Sequence, residues 1–386
     1  MTKPGTWDFG LSAEQEARAE QLHTESIIVD MVNQHPGGMN IFREYDERQL
    51  EQVFGDVGDG FFGLSQAIFA PYQLAATGQS NLIYDWWLES GITVAPRAVM
   101  MGPQDAIAPL AAYANEMEFM AELDWLRPIT TTEEIRQAKK DGVIAQYGYC
   151  QPVYGLSSNI EDINGAYDQG LRMLMLTYNR QDYVGAGCTE PTNAGISMYG
   201  QQVVKRCNEL GIIVDTSHCS TQTTLDACRM SETPVFANHS CAQGVYNHAR
   251  GKNDEELDAL AETGGVLGIV TAPFFLSGEE NPTIEAVLDH IDYIAGRIGT
   301  DHIGIGTDWP MQAPEDIVEA TLGGMVEEIG FREEDNISTT KTLMGFEDYR
   351  DMRNITRGLV ARGYDDDQIK GILGENFMRC HAAVCD

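Results

Sequence analysis

The sequence predicts an α/β fold, an eight-stranded (β/α)8 barrel of the TIM type. Short apolar runs that end in polar residues recur along the 386 residues, and stretches with helical periodicity separate them. Eight such runs can be counted, which favours a closed barrel over an open doubly wound sheet. Single α/β barrels often reach this length, so we expect residues 1–386 to form one domain.

The predicted strands and helices follow one another in regular alternation. The strands are residues 27–32, 61–69, 143–150, 173–178, 212–217, 234–238, 266–270 and 303–307. Residues 200–210 and 254–262 are examples of the intervening helical periodicity. Two stretches depart from this pattern. We expect residues 71–132 to add helices after strand two and residues 315–386 to form a C-terminal helical cap.

The amino-acid composition indicates which classes of binding partner and which cellular location to expect. With 25 Lys+Arg against 59 Asp+Glu, the net charge is −34, which disfavours binding to nucleic acid or to an anionic membrane. The opening segment contains no apolar signal-type run, and no stretch of about 18 apolar residues occurs. We therefore expect a cytoplasmic protein. The eight cysteines include no C-x-x-C pair and are expected to be mostly free, buried thiols.

Polar residues follow three of the predicted strands. The carboxyl ends of the strands form the mouth of such a barrel, where active sites lie. His218 follows strand five, His239 follows strand six and Asp308 follows strand eight. A single histidine at a strand end is more often only hydrogen-bonded, but three such residues in barrel order favour a site. Two imidazoles and a carboxylate are typical ligands of a zinc ion that activates water.

The motifs around these strand ends resemble those of the membrane (renal) dipeptidases of the amidohydrolase superfamily, over nearly the whole chain. They are V-D-x-x-N-x-x-P at 29–36, A-K-K-D-G-V-I-A at 138–145, L-T-Y-N at 176–179, G-I-I-V-D-T-S-H at 211–218, A-N-H-S-C-A at 237–242, N-H-A-R at 247–250, G-I-G-T-D at 304–308, G-F-E-D with N-I-T at 345–356, and L-G-E-N-F-M-R at 373–379. The resemblance implies a barrel enzyme that hydrolyses dipeptide-like substrates and forms a homodimer.

The two-metal site implied by this resemblance is degenerate here. Val32 and Gln34 stand where the family has a histidine and an aspartate as ligands, and Gln151 stands at the glutamate that bridges the two metals. Tyr178 replaces the strand-four histidine that polarises the scissile carbonyl. Two carboxylates and one imidazole are lost, and with them the charge that offsets two dications. A normal two-zinc dipeptidase is therefore not expected.

Two shifts of the alignment would change the ligand set. A shift of one residue in strand one would bring His35 to a ligand position, but it would break the alignment of Asn33 and Pro36. A shift of one residue in strand three would make Cys150 a thiolate ligand. Without that shift, Cys150 faces the other side of the strand from Gln151.

The retained groups suggest a role for each remaining site residue. By the resemblance, His218 and His239 hold one divalent metal, most naturally zinc, with Gln151 or Asp308. Arg250 binds a substrate carboxylate with its forked guanidinium; a structural salt bridge is the alternative. Asp308 handles protons or a substrate amine.

Three further residues are predicted to contact a small carboxylate-bearing substrate derived from an amino acid or a dipeptide. Tyr178 offers a hydrogen bond, and Asn179 and Trp309 lie beside predicted site residues.

Three functions remain open at this point. With one metal, the protein hydrolyses an amide or ester. With none, which the sequence slightly favours, His218, His239, Tyr178 and Asp308 suit an acid–base lyase or isomerase. The third is a non-catalytic paralogue that only binds a ligand.

Overall fold

The structure is a computed structural model, and it describes residues 3–33, 38–54, 70–100, 122–152, 159–308, 326, 329–338 and 341–386. Its strands are β1 (Val94–Met100), β2 (Leu126–Pro128), β3 (Ile144–Gln151), β4 (Leu171–Met175), β5 (Ile213–Asp215), β6 (Val235–Ala242), β7 (Gly251–Lys252), β8 (Leu267–Ile269) and β9 (Ile303–Ile305). All of their pairings are parallel, in the order β1-β3-β4-β5-β6-β8-β9, with β2 beside β3 and β7 beside β6.

The chain around Val29 closes this sheet into a ring. Val29 pairs in parallel with Val94 of β1, and Asp30 pairs in parallel with Ile305 of β9. Backbone hydrogen bonds of 2.9 Å from Asp30 N to Val94 O and of 2.8 Å from Met31 N to Ile305 O support both contacts. Eight chain segments therefore surround the barrel axis, and the predicted fold class is confirmed.

The assignment of strand two needs a correction. The second place in the ring belongs to β1, which lies inside the stretch 71–132 where only helices were predicted. Pro96 and Arg97 interrupt its apolar run, so the pattern did not indicate a strand; pairing with β3 along all seven residues decides it. The helix Leu82–Ser90 precedes this strand rather than following it. The run predicted as strand two, residues 61–69, lies outside the described residues.

Helices and short helical turns account for most of the chain between and after the strands. The α-helices are Ala13–Glu25, Glu47–Phe54, Leu82–Ser90, Thr132–Asp141, Asp162–Asp168, Met198–Leu210, Thr221–Met230, Asp254–Glu262, Pro273–Leu276, Glu285–Ile298, Met352–Ala361, Asp366–Lys370 and Asn376–Cys385. Residues Gly371–Glu375 form a π-helical turn. Ser12, Thr131 and Asn253 each begin a helix with a reciprocal capping box. The helical C-terminal region was predicted.

Large side chains fill the inside of the barrel. Met31, Tyr147, Met173 and Phe236 are buried there, and Phe377 of the last helix packs against both aromatic rings. The barrel is thus a packed core whose open end lies above the strands' carboxyl ends.

All eight cysteines are free thiols, and six of them are buried. Within the described ranges, no helix is long and apolar enough to span a membrane.

Candidate functional site

Two buried histidines face each other at the mouth of the barrel. His218 follows β5 and His239 lies in β6, and their Nε2 atoms are 2.9 Å apart. The ring centroids are separated by 4.9 Å, and both side chains are almost completely buried. The structure thus brings together two predicted ligands that come from separate motifs.

An asparagine orients each imidazole from the opposite side of the ring. His218 Nδ1 lies 2.7 Å from Asn179 Oδ1, and His239 Nδ1 lies 2.5 Å from Asn238 Oδ1. Asn179 Nδ2 donates to the backbone oxygen of Ile329 at 2.9 Å, which orients that amide group. An amide oxygen only accepts, so each Nδ1 carries the proton and each neutral ring presents an Nε2 lone pair to the other. These lone pairs repel unless a proton or a cation lies between them.

A buried network of hydrogen bonds holds Asn238 in place. Asp215 Oδ1 accepts hydrogen bonds from the backbone nitrogen of Asn238 at 2.8 Å and from Ser217 Oγ at 2.7 Å. Its Oδ2 accepts from the Tyr149 hydroxyl at 2.9 Å. Burial raises the pKa of both Asp215 and Tyr149. The sequence reasoning gave these residues no role, although Asp215 and Ser217 belong to the motif that ends in His218.

The surroundings keep both imidazoles uncharged. Burial is the main reason why the pKa values of His218 and His239 lie well below the usual range, and the positive charges of Arg250 and Lys252 lower both further. Lys252 itself pairs with the buried carboxylate of Glu256 at 3.2 Å. A proton shared between the two rings would therefore lie close to two buried cations, which disfavours an imidazolium.

Arg250 is buried beside the histidine pair. Its Nη1 donates to the backbone oxygen of Ser217, and its Nη2 donates to that of His239 at 2.8 Å. The guanidinium carbon lies 5.3 Å from the centre of the Phe275 ring. Its Nε has no hydrogen-bond partner among the described residues, and no described carboxylate forms an ion pair with it. The described contacts of the Arg250 guanidinium are thus with backbone oxygens and an aromatic ring, and its predicted contact with a substrate carboxylate stays a prediction.

Tyr178 and Asn179 have different positions relative to His218. The Tyr178 ring stacks on the imidazole, with centroids 4.0 Å apart and planes 18° apart. Asn179 is fully buried, and its amide group binds His218 and Ile329. Asn179 thus orients the His218 ring directly, and its predicted contact with substrate stays a prediction.

Gln151, at the end of β3, has a buried side chain whose Oε1 lacks a hydrogen-bond partner among the described residues. The Tyr149 hydroxyl contacts Asp215 inside the barrel. Side chains two residues apart on a strand lie on the same face, so the Gln151 side chain also points into the barrel, closer to its mouth. Cys150 belongs to the core outside the barrel, and its Sγ lies 3.4 Å from the backbone oxygen of Pro152. The Cys150 thiol thus lies on the other side of the strand from the Gln151 side chain, as expected without the alignment shift.

Asp308 lies at the rim and Val32 below it. Asp308 is half-buried, with a φ of 58° in the left-handed region that aspartate tolerates better than most residues. Its backbone nitrogen donates to Val32 O at 2.8 Å, and the Val32 side chain is fully buried. The remaining predicted positions, Gln34, His35 and Trp309, lie outside the described residues.

These side chains offer a divalent metal two imidazole nitrogens and one amide oxygen. Imidazoles that donate Nδ1–H to an oxygen and present Nε2 are the usual arrangement of histidine ligands, and Gln151 supplies an unpartnered oxygen on the inward face. Val32 cannot bind a metal, and Gln151 lacks the charge with which a glutamate bridges two ions. Among the described residues, no group of three or more His, Cys, Asp or Glu side chains could hold an ion.

Comparison with known protein families shows to which family this chain is related. The sequence profile of the membrane dipeptidases, peptidase family M19, matches residues 16–322. The chain belongs to the membrane dipeptidase family. The resemblance seen in the strand-end motifs is thereby confirmed.

The chain is also similar to a curated protein and to solved structures. Dipeptidase verJ of Clonostachys rogersoniana is 28% identical over 256 residues, 66% of this chain and 59% of verJ. The match thus spans less than two thirds of that relative's length. An amidohydrolase from Pseudomonas aeruginosa has a TM-score of 0.72 and 23% identity, covering 95% of this chain and 99% of its own.

A second solved structure carries a ligand. A metallopeptidase from Rhodobacter sphaeroides, liganded with a phosphinate mimic of the dipeptide L-Ala-D-Ala, has a TM-score of 0.67 and 19% identity, covering 93% of this chain and 100% of its own. At such identities, the two solved structures establish the shared fold alone.

Proposed function

We propose that the protein is a hydrolase that cleaves an amide or ester bond in a small, carboxylate-bearing substrate of the dipeptide type, with one divalent metal at the histidine pair. Membership of a dipeptidase family supports the reaction class. The observation that carries the proposal is the pair of Nε2 lone pairs of His218 and His239, 2.9 Å apart in a buried site where burial and nearby cations disfavour a proton.

The proposed ligands are His218 Nε2, His239 Nε2 and Gln151 Oε1, with water completing a set that suits zinc. A bound zinc ion lowers the pKa of water and polarises a carbonyl group. Asn179 and Asn238 hold the two imidazoles as neutral Nδ1–H tautomers. They act as positioning residues because they set which ring nitrogen is available.

The other mouth residues are proposed to handle the substrate. Arg250 has an unpartnered Nε beside the histidines, which suits a substrate carboxylate. Tyr178, stacked on His218, is the proposed hydrogen-bond donor to the carbonyl oxygen. Asp308 at the rim is proposed to move a proton to the leaving amine. The Rhodobacter sphaeroides metallopeptidase binds a mimic of L-Ala-D-Ala, so this dipeptide is the first substrate to test.

A metal-independent acid–base enzyme, a lyase or an isomerase, is the second candidate. The distance between the two Nε2 atoms is also that of a hydrogen bond, which favours one shared proton. Arg250 and Lys252 oppose this state because they lower the pKa of both imidazoles. The third candidate, a paralogue that only binds a ligand, makes the Asp308→Asn variant informative. That variant should lose turnover only if the protein is an enzyme.

Metal analysis combined with hydrolysis of L-Ala-D-Ala tests the proposal. We expect about one zinc ion per purified chain, and activity that a chelator removes and zinc restores. His239→Gln should abolish binding and activity. His302→Gln, which changes a half-buried histidine hydrogen-bonded to Gly265 O, should leave both intact. An occupancy well under one ion per chain, with activity that resists the chelator, would favour the metal-independent enzyme.

We further propose that the protein acts in the cytoplasm as a single-domain enzyme. The net charge of −34 supports small-molecule substrates over nucleic acid or membrane surfaces as partners. A homodimer is proposed by analogy with the family.

A further inference from the structure

A cavity of about 410 Å³ lies at the end of the barrel opposite the histidine pair. It is bordered by the end of the helix Ala13–Glu25, by the helix Thr132–Asp141 and by residues 370–375. Ile27 of its lining precedes the first barrel segment, and the second of these helices ends just before β3 begins. The cavity therefore lies at the amino ends of the parallel strands, whereas the histidines lie at their carboxyl ends.

The lining of this cavity is basic in a strongly acidic chain. Its charged residues are Arg136, Lys139, Lys140, Lys370, Glu25 and Glu375. Four cations face two carboxylates here, while the whole chain has 25 Lys+Arg against 59 Asp+Glu. The local sign is thus reversed from that of the molecule, and the cavity attracts anions that the remaining surface repels.

Three of the four cations form no close ion pair among the described residues. The Arg136 guanidinium binds Glu375 through two bonds of 3.1 and 2.9 Å. In the described part of the chain, Lys139, Lys140 and Lys370 form no ion pair. Burial lowers the pKa of Lys139, because its charge is desolvated without compensation. An anion in the cavity would remove this penalty.

Ser26 is a buried polar residue in the lining of the cavity. Its side chain is 6% exposed and lines the cavity, and its Oγ has no hydrogen-bond partner among the described residues. Buried hydroxyl groups are normally hydrogen-bonded. Lysines in the last turn of a helix also complement the helix dipole, but that effect explains neither the cavity nor this hydroxyl.

We propose that the cavity is a second binding site, for a small molecule that carries a phosphate group. Lys139, Lys140 and Lys370 supply the positive charge that binds the phosphate. Ammonium groups on flexible stems bind phosphate as point charges. The volume suits a small metabolite, and its separation from the mouth makes the site independent of substrate binding.

Titration of the full chain with inorganic phosphate, followed by calorimetry at constant ionic strength, tests this site. We expect saturable binding with one phosphate per chain. The double variant Lys139→Gln/Lys140→Gln should weaken it by about tenfold or more, as expected for the loss of charge-assisted hydrogen bonds. The matched control is Lys205→Gln, since Lys205 is exposed and forms an ion pair with Glu209 at 3.7 Å, away from the cavity; the affinity of this variant should equal that of the unmodified chain.

Two further variants keep the test decisive. Lys370→Gln, on a different helix, should also weaken binding, and it serves if the double variant does not fold by circular dichroism. Arg250→Gln shows whether the phosphate binds at the barrel mouth instead. This variant should leave the phosphate affinity unchanged if binding occurs in the basic cavity. The proposal is overturned if no saturable binding occurs, or if the unmodified chain and the lysine variants bind phosphate equally. Neither result depends on hydrolytic activity.

Discussion

At the scale of single residues, the side chain of Gln151 at the end of β3 affects how well the barrel mouth could bind a positively charged ion. Gln151 has nearly the shape of a glutamate but no charge, and its Oε1 is buried without a partner among the described residues. An amide oxygen offsets none of the charge of a bound dication, whereas a carboxylate offsets part of it. At the proposed metal site, an amide at this position would therefore bind a dication more weakly than a carboxylate of nearly the same shape.

Gln151→Glu should strengthen zinc binding. The new carboxylate adds an anionic ligand beside two neutral imidazoles, and we expect zinc affinity to rise on the order of tenfold to a hundredfold. Competition with a chromophoric chelator measures this change. Gln201→Glu, on the exposed side of the helix Met198–Leu210, is the control for added charge. Equal affinities in the two variants would mean that the Gln151 side chain does not face the histidine pair.

A second residue-scale prediction concerns His381, which is fully buried. Neither ring nitrogen has a hydrogen-bond partner among the described residues, and its Nδ1 lies 3.8 Å from the Asp386 carboxylate. Burial is the main cause that lowers the pKa of this imidazole from 6.5 to about 4. Between these two pH values the unfolded chain binds a proton that the folded chain does not.

The contribution of His381 to stability is therefore lost as the pH falls from 6.5 to about 4, by up to about 3 kcal/mol. His381→Leu should remove this dependence, so its unfolding free energy relative to the unmodified chain should rise on going from about pH 7.5 to pH 5. Urea unfolding at both pH values measures the difference. Parallel pH dependence of the two proteins would contradict the assignment.

At the scale of elements, the strands around the site approach so closely that only glycine fits between them. A Cβ on Gly306 would lie 1.8 Å from Asn238 O, and one on Gly268 would lie 2.0 Å from the same oxygen. Asn238 orients His239, so the packing of β8 and β9 against β6 also sets the position of a proposed ligand.

Gly306→Ala should destabilise the fold and loosen the site. The new methyl group collides with backbone rather than with a movable side chain, so we expect a loss of about 3 kcal/mol of unfolding free energy and weaker zinc binding. Gly296→Ala is the control, since that position of the helix Glu285–Ile298 has open space. It should stabilise the protein by about 0.5–1 kcal/mol. Equal thermal stability of the two variants would contradict the close approach of these strands.

Element prediction from the sequence succeeded where a segment was a short, mostly apolar run without proline. The runs that became β5, β8 and β9 are short and buried, and their periodicity identified them. It failed at β1 because Pro96 and Arg97 resemble loop residues, whereas hydrogen bonding to β3 makes this segment a strand. The local composition of a segment does not indicate whether it pairs with a strand that lies far away in the sequence.

At the scale of the whole molecule, charge is the dominant feature. The net charge of −34 produces repulsion that the folded chain must overcome. Ion pairs offset part of it, as at Arg362, which contacts Glu285, Asp289 and Asp292. Such exposed pairs are individually weak, so general repulsion should outweigh them.

Added salt should therefore stabilise the protein. Raising sodium chloride from about 0.05 M to 1 M shortens the screening length from more than 10 Å to about 3 Å, and we expect the melting temperature to rise by about 3 °C or more. Thermal unfolding followed by circular dichroism measures this shift. A fall in the melting temperature would show that the surface ion pairs contribute more than the repulsion removes.

The sequence by itself determined the family, the barrel and the placement of His218 and His239 at strand ends, and it predicted the replacement of family ligands at Val32, Gln34 and Gln151. Each of these follows from local patterns and motifs. Only the tertiary structure decided that the two Nε2 atoms face each other, that Asn179 and Asn238 hold the rings from behind, and that a basic cavity lies at the other end. These features join residues far apart in the chain, and their distances depend on how strands and helices pack rather than on neighbouring residues.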